Sequence, residues 1–248
     1  MLNIENLSKR YKNSVWGIKD FNLIIKNKEI MGIVGPNGSG KTSLINCLLG
    51  IIYPTSGKVE LNGFQSKSKE FKKSIAYVPD DLILPEALTG TEYLDFVTSM
   101  YENIDIEKKK MLTELFDMKT ALKEPIETYS HGMKKKIQLI AAFMLKSKLI
   151  VLDEPFRGLD VEAIIITKKL MNRYIKQGGS ILLSTHDLTG AERLCNQISI
   201  ISKGEKVAEG TVSELKENYN SKNLEEVFMK VSMLGSRSEQ VEKIISNF

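Results

Sequence analysis

Apolar residues along the chain follow two kinds of pattern. Short uninterrupted runs rich in β-branched residues, such as Leu149–Leu152, predict strands that are covered on both faces, as in a parallel sheet. These runs alternate with segments of helical spacing, which is typical of an α/β fold. The predicted strands are Leu2–Leu7, Phe21–Ile25, Ile30–Val34, Val59–Leu61, Ile75–Val78, Leu149–Leu152, Ile181–Ser184, Ile198–Ile201 and Lys206–Ala208.

The segment 85–145 contains almost no strand pattern. Thr89 and Glu92 have the spacing of a capping box, and the apolar residues that follow recur at helical spacing. The stretch Glu107–Met118 repeats the pattern. We therefore predict that 85–145 is a helical subdomain inserted into the α/β core, and that 1–84 and 146–210 form the core together with a β subdomain.

The segment 211–248 is predicted to be a C-terminal helical extension. Thr211 and Glu214 form a second capping box, and helical patterns then continue to Phe248 with a break near Gly235-Ser236. We find no internal repeat and no low-complexity tract.

The strongest chemical signal is the run Gly-Pro-Asn-Gly-Ser-Gly-Lys-Thr from Gly35 to Thr42, which fits the phosphate-binding pattern G-x-x-x-x-G-K-[ST]. A predicted strand precedes it and a predicted helix begins around Ser43, which is the context that the motif requires. The alternative is a glycine turn that binds nothing. The three glycines permit backbone angles that turn successive N–H groups toward anionic oxygens. Lys41 supplies a charge for the β- and γ-phosphates, and the Thr42 hydroxyl can bind Mg²⁺.

Two acidic residues directly follow the predicted strand Leu149–Leu152. Ligands of open α/β sheets bind at the carboxyl ends of strands, where Asp153 can hold Mg²⁺ and Glu154 can polarise an attacking water. The alternative is that Asp153 caps a helix, which Pro155 would permit. His186 follows another predicted strand at the same edge, in a position to contact a γ-phosphate or its water. The alternative is that this histidine is structural or simply exposed.

Two helix starts carry further candidates. Asp160 is a predicted N-cap of the helix Val161–Gln177, and Ser130 caps a helix predicted over Lys134–Leu145. Gly132 allows a close backbone approach beside this positive helix end. By itself, this second segment is an ordinary capped helix with a basic face.

Composition adds limits rather than a function. The chain of 248 residues has a net charge of +4, which does not by itself indicate a nucleic-acid partner. No apolar run approaches the length of a bilayer span, and the N-terminus lacks the pattern of a signal peptide. Cys47 and Cys195 are expected to be buried, reduced thiols in apolar helical surroundings.

These motifs, in this order, resemble the nucleotide-binding subunit of ATP-binding cassette (ABC) transporters, over nearly the whole chain. The stretch Gly35–Thr42 looks like the Walker A loop, and Ile150–Glu154 looks like Walker B with its general-base glutamate. The resemblance makes Gly158–Asp160 the D-loop and His186 the switch histidine. Tyr11 lies where the family places an aromatic residue that stacks on adenine, with local packing of this ring and stacking by Trp16 as alternatives.

The chain departs from the family pattern in two segments. The signature segment, usually Leu-Ser-Gly-Gly-Gln, is Tyr-Ser-His-Gly-Met here and keeps only Ser130 and Gly132, to which contact with a γ-phosphate is carried over. The family usually has glutamine after Tyr-Val-Pro, where this chain has Asp80. An aspartate can bind Mg²⁺ but cannot donate the hydrogen bonds of an amide.

The resemblance implies an ATPase subunit with ATP and Mg²⁺ as cofactors. Glu154, His186 and Lys41 are the expected catalytic residues, and Thr42, Asp153 and Asp80 are the expected metal ligands. The residues expected to contact the nucleotide are Tyr11, Gly35, Pro36, Asn37, Gly38, Ser39, Gly40, Lys41, Thr42, Ser43, Asp80, Ser130, Gly132 and Asp160.

The resemblance also implies partners. Two subunits, identical or different, would enclose two ATP molecules head to tail, and a separate membrane permease would hold them at the cytoplasmic face of the membrane. Similarity to bacterial exporters of drugs, antibiotic peptides or lipids favours export. The alternatives are a soluble ABC ATPase that acts on nucleic acid or ribosomes and a regulatory subunit that does not hydrolyse ATP. Nucleic-acid binding is not expected, because the chain lacks the second cassette or the long coiled-coil insertion usual in that class.

Overall fold

The structure is a computed structural model that describes residues 1–12, 15–101 and 106–232. Strands and helices alternate through most of this range. The strands are β1 (Leu2–Arg10), β2 (Trp16–Ile25), β3 (Ile30–Val34), β4 (Ser56–Leu61), β5 (Phe64–Gln65), β6 (Ile75–Val78), β7 (Leu149–Asp153), β8 (Ser180–Thr185), β9 (Gln197–Ser202) and β10 (Glu205–Gly210). The helices are α1 (Lys41–Leu48), α2 (Lys69–Lys73), α3 (Gly90–Ser99), α4 (Ile106–Leu115), α5 (His131–Phe143), α6 (Val161–Lys176), α7 (Leu188–Leu194), α8 (Val212–Asn218) and α9 (Leu224–Val231).

The chain divides into two compact units. We call the part made of Leu2–Ile25, Ile30–Glu60 and the chain from Ser184 onward the phosphate-loop unit. The part made of Met1, Lys26–Glu29 and Leu61–Leu183 is the carboxylate unit. The boundary passes through β8, whose residues up to Leu183 belong to the carboxylate unit.

The phosphate-loop unit contains both antiparallel and parallel pairings. β1 and β2 are antiparallel, with Leu2 opposite Ile25, and β4 lies on the other side of β1. β3 is parallel to β9, with Gly32 opposite Ile198, and β10 runs antiparallel to β9. Every residue of β3 is buried, which explains why its sequence is an apolar run rather than an alternating pattern.

The carboxylate unit combines parallel strands with most of the helices. β6 and β7 are parallel, with Val78 opposite Leu152, and β8 is the other neighbour of β7. α5 packs on β6 and against α3 and α4 through a buried face that includes Ile137 and Ile140. The predicted α/β class with a mainly parallel sheet and an N-terminal antiparallel sheet is confirmed. The division into subdomains at 85 and 145 stays a prediction.

The helix starts show how local chemistry sets boundaries. Both predicted capping boxes are present, at the starts of α3 and α8. α5 begins at His131, three residues earlier than predicted, because the Ser130 side chain already accepts a hydrogen bond from the Met133 N–H. Asp160 caps α6 as predicted, by accepting from the Ala163 N–H at 2.7 Å.

Other sequence predictions need correction. Seven of the nine strands are longer than predicted, and the short β5 and α2 were not predicted. The thiols of Cys47 and Cys195 are buried and free, but Cys195 follows the last residue of α7 in an extended conformation instead of lying within a helix. Burial raises the pKa of the Cys195 thiol to about 12, so this thiol is protonated at neutral pH. Residues 233–248, with the predicted break near Gly235-Ser236, lie outside the described residues.

Candidate functional site

The glycine loop between β3 and α1 has the geometry of a phosphate cradle. Gly38 and Gly40 have φ values of 78° and 112°, in the left-handed region that favours glycine. Gly40 is the N-cap of α1, and no side chain caps the helix there. The end of α1 where the helix dipole is positive, which favours an anion, therefore lies at the loop.

Neighbouring strands fix the loop from outside. A Cβ on Gly35 would lie 2.3 Å from the Ile201 carbonyl oxygen, and a Cβ on Gly40 would lie 2.2 Å from the Gly17 carbonyl oxygen. Gly35 does not have a positive φ, so the prediction that all three glycines serve backbone angles is wrong for this position. Glycine is required at Gly35 for space, at Gly38 for the angle, and at Gly40 for both.

Two polar side chains of the loop, those of Ser39 and Lys41, are buried. Lys41 is buried, and its Nζ donates to the carbonyl oxygens of Gly35 at 2.7 Å and Pro36 at 3.3 Å. The Ser39 hydroxyl is buried and has no hydrogen-bond partner. An unsatisfied buried hydroxyl beside an ammonium group and a helix N-terminus without a side-chain cap fits an oxyanion ligand.

Tyr11 lies next to this loop in the phosphate-loop unit. Tyr11 is 43% exposed, and its hydroxyl lies 3.1 Å from the Ser43 hydroxyl of α1. The Lys9 ammonium group lies 5.4 Å from the centre of the ring. Trp16, the alternative stacking residue, is 39 % exposed and has the Arg10 guanidinium group 5.3 Å from its ring. Both rings have an accessible face, and the structure ties Tyr11 more directly to the start of α1.

His186 follows the carboxyl end of β8 and is exposed. The next residue, Asp187, caps α7 by accepting from the Gly190 N–H at 2.9 Å. Its own N–H donates to the Thr185 hydroxyl at 3.0 Å. These two bonds fix the backbone on both sides of the histidine, so the short turn between β8 and α7 presents the imidazole at the strand end.

The carboxylate unit places acidic groups at the carboxyl ends of two neighbouring strands. Asp153 is the buried last residue of β7 and does not cap a helix, which excludes the alternative reading of this residue. Glu154 has a φ of 45°, which is uncommon for a residue with a side chain, and its carbonyl oxygen accepts from the Arg157 N–H at 3.3 Å. Strain of this kind is concentrated at functional sites.

Register brings the loop after β6 to the same edge. Since Val78 is opposite Leu152, Asp80 and Glu154 each lie two residues beyond a paired position. Burial raises the pKa of Tyr77, and the negative charges of Asp153, Asp81 and Asp80 raise it further. Several carboxylates therefore lie at this edge of the sheet, where Lys135 and Arg157 also contact the loop after β6.

The signature segment and the D-loop are in contact within the carboxylate unit. Ser130 is exposed at the N-terminus of α5, and a Cβ on Gly158 would lie 2.0 Å from Cδ2 of His131. Asp160 is ion-paired with Lys136 at 2.9 Å. The backbone N–H of Ala163 and then Lys136 lower the pKa of the Asp160 carboxyl. The predicted Ser130, Gly132 and Asp160 thus belong to one local cluster.

Sequence reasoning did not single out three residues of this unit. Lys135 is completely buried, and its Nζ donates to the carbonyl oxygens of Pro79 at 2.7 Å and Asp80 at 3.3 Å. Gln138 donates to the Asp81 carbonyl oxygen at 3.0 Å, and Arg157 Nη1 donates to Asp80 Oδ2 at 2.9 Å. A lysine in a basic run and an arginine in a loop carry no sequence signal of such contacts.

Among the described residues, no group of three or more His, Cys, Asp and Glu side chains is arranged to hold a metal ion. None of the described helices is long and apolar enough to cross a membrane.

The glycine loop between a buried strand and a helix, with Lys41 inside it, defines a P-loop nucleotide-binding protein. The family described as ABC transporter matches residues 18–157 of the chain. The ABC-type transporter ATP-binding protein EcsA of Bacillus subtilis is 34% identical over 241 residues, which are 94% of this chain and 96% of that protein. The linearmycin resistance ATP-binding protein LnrL of the same organism is 34% identical over 87% of this chain and 70% of its own length.

Solved structures agree with this family. The ATP-binding subunit of an ABC transporter has a TM-score of 0.88 at 29% identity, covering 93% of this chain and 99% of its own. A dimeric post-hydrolysis structure of the cassette MJ0796, bound to ADP and Pi, shares the fold with a TM-score of 0.78 at 21% identity, over 85% of this chain and 98% of that one. The chain belongs to the ABC transporter family. It is an ATP-binding subunit whose ATP hydrolysis powers a transporter.

Proposed function

We propose that this subunit binds Mg·ATP, closes as a dimer and drives export through a separate membrane permease. The observation that carries the proposal is the phosphate cradle, with two left-handed glycines, an uncapped helix N-terminus and the unsatisfied Ser39 hydroxyl. The nucleotide contacts are then made by Gly35–Ser43, with Tyr11 stacking on the adenine.

The magnesium ion would be held by the Thr42 hydroxyl, Asp153 and phosphate oxygens. Bound there, it would neutralise charge on the phosphates. Support comes from the position of Asp153, which is the last residue of β7 and is buried at the carboxyl end of that strand. The sequence predicts Asp80 as a third ligand, but its Oδ2 already accepts a hydrogen bond from Arg157, so Asp80 is not included among the proposed ligands.

Hydrolysis would use three side chains in different roles. The Lys41 ammonium group would donate to oxygens of the β- and γ-phosphates in place of the backbone carbonyl oxygens that accept its hydrogen bonds in the structure. Glu154 would accept a proton from the attacking water as general base. His186, at the end of β8, would contact the γ-phosphate.

The dimer would complete each nucleotide site with the signature segment of the partner. Ser130 and Gly132 support this role because they lie at the exposed N-terminus of α5, where a γ-phosphate can accept from helix N–H groups. Asp160 would line the same interface. The partner is a second copy or a related subunit, and ATP would hold the two together until hydrolysis removes the γ-phosphate.

Export is favoured by the similarity to LnrL, whose name describes linearmycin resistance. The permease would recognise the exported compound and attach the subunit to the cytoplasmic face of the membrane. Such an arrangement predicts that the purified subunit and its permease copurify from detergent-solubilised membranes. Consistent recovery of the subunit without any integral membrane protein would contradict it.

Titration calorimetry tests nucleotide binding directly. We expect heat of binding when Mg·ATP is added to the folded subunit and much weaker binding for Lys41→Ala, because the ammonium charge inside the cradle is lost. A Lys216→Ala variant, which removes an ion pair with Glu192 at 3.1 Å, is the matched control and should bind like the parent. No heat with the parent protein, or equal affinities in all three proteins, would refute the proposed site.

A further inference from the structure

Arg157 connects two loops that leave neighbouring strands. Its guanidinium Nη1 donates to Asp80 Oδ2 at 2.9 Å, in the loop after β6. Its backbone N–H donates to the Glu154 carbonyl oxygen at 3.3 Å, in the turn after β7. One residue therefore binds the Asp80 side chain and closes the turn that presents Glu154.

The turn at Glu154 needs such a restraint. A φ of 45° is unfavourable for a residue with a Cβ, so the conformation persists only where the surroundings enforce it. The Arg157 N–H is the backbone donor that closes this turn. An anchor on the Arg157 side chain therefore limits how far the glutamate can move.

The anchor is itself fixed by α5. Lys135 is completely buried and donates to the carbonyl oxygens of Pro79 and Asp80, and Gln138 donates to that of Asp81. Burial lowers the pKa of Lys135, whereas the negative charges of Asp80 and Asp153 oppose that shift. Asp80 consequently belongs to a loop whose backbone is held at three successive carbonyls.

Stability alone does not explain the ion pair. The Arg157 side chain is 65% exposed and that of Asp80 is 30% exposed, and exposed pairs of this kind add little to the free energy of unfolding. Asp80 also adds a third carboxylate to Asp153 and Glu154 at the carboxyl ends of β6 and β7. A guanidinium partner offsets that charge without a metal ion.

We propose that Arg157 is a positioning residue for ATP hydrolysis, and that Asp80 serves as its anchor rather than as a magnesium ligand. The ion pair keeps the turn at Glu154 in the arrangement in which the carboxylate can accept a proton from water. This inference rests on the proposed role of Glu154 as general base. It adds to that role a pair of side chains that act through the glutamate without contacting the reacting atoms.

A double-mutant cycle on kcat tests the proposal. We expect Arg157→Ala and Asp80→Asn each to lower kcat roughly tenfold. The double variant should be no slower than the slower single variant, because each substitution already removes the same ion pair. The affinity for ATP should stay within about twofold of the parent, since neither residue belongs to the phosphate cradle. Arg157→Lys should recover part of the loss, as it restores the charge without the planar fork.

Other outcomes would overturn the inference. An unchanged kcat in Arg157→Ala, or a double variant about a hundredfold slower than the parent, would mean that the two residues do not act as a unit. A several-fold rise in the Mg²⁺ concentration needed for half-maximal activity of Asp80→Asn would identify Asp80 as a metal ligand instead.

Two controls separate this role from folding and from the proposed function. Thermal unfolding of each variant should stay within a few degrees of the parent, and Lys216→Ala, which breaks the distant ion pair with Glu192, should leave kcat unchanged. ATP binding and turnover by the parent protein test the function itself. Differences in kcat among the variants test only Arg157 and Asp80.

Discussion

Two glycines of the phosphate loop offer a matched test of how this loop is held. Gly38 and Gly40 both have left-handed backbone angles, with φ values of 78° and 112°. A Cβ on Gly38 would have no neighbour within 4 Å, whereas one on Gly40 would lie 2.2 Å from the Gly17 carbonyl oxygen. The two positions therefore share the backbone cost of a side chain and differ in the room for it.

The expected magnitudes follow from this difference. Alanine in a left-handed conformation costs roughly 1–2 kcal/mol, so Gly38→Ala should lower the free energy of unfolding by about that amount. Gly40→Ala adds an overlap with a backbone atom that cannot rotate away, for which overpacking costs of about 1–3 kcal/mol are typical. The free energy of unfolding of Gly40→Ala should accordingly fall by about 2–5 kcal/mol.

Urea denaturation without nucleotide measures both losses, since bound ATP would add its own stabilisation. The Gly40→Ala variant should unfold at a clearly lower urea concentration than the Gly38→Ala variant. Equal midpoints would show that the approach of β2 to the loop does not restrain it. A lower midpoint for Gly38→Ala would refute the geometric reasoning altogether.

Three further predictions concern the catalytic and capping side chains. Glu154→Gln should bind ATP like the parent but hydrolyse it about 10²–10⁴ times more slowly, because an amide cannot accept the proton from water. It should accumulate as an ATP-bound dimer in size-exclusion chromatography. Unchanged turnover would show that Glu154 is not the general base. His186→Ala should lower kcat more than it lowers ATP affinity, as measured by steady-state kinetics and calorimetry, and a loss confined to affinity would contradict contact with the reacting phosphate. Asp160→Ala should lower the free energy of unfolding at pH 7 by about 1 kcal/mol through loss of the α6 cap. Since the folded-state pKa of Asp160 lies below its ordinary value of 3.8, this contribution is present above that value and is lost as the pH falls through the lower folded-state pKa. A difference between the two proteins that does not shrink as the pH is lowered below 3.8 would argue against it.

The amino-acid sequence was sufficient for features whose causes lie within a few residues. The Walker A loop, the buried runs of β3 and β7 and the caps at Thr89 and Thr211 depend on local spacing, backbone freedom and hydrogen bonds between near neighbours. Each of these interactions can be recognised within a single short segment of the sequence. The α/β class followed from the same local patterns.

Tertiary structure decided the contacts between residues that are distant along the chain. The ion pair of Asp80 with Arg157 joins positions 77 residues apart, and it requires the parallel register of β6 and β7, which no single segment encodes. The complete burial of Lys135 and the crowding of Gly35 by Ile201 likewise depend on packing between elements. A lysine or an arginine is usually exposed to solvent, so the sequence alone predicts a surface position for these residues. Only packing against a distant loop gives Lys135 and Arg157 their partners.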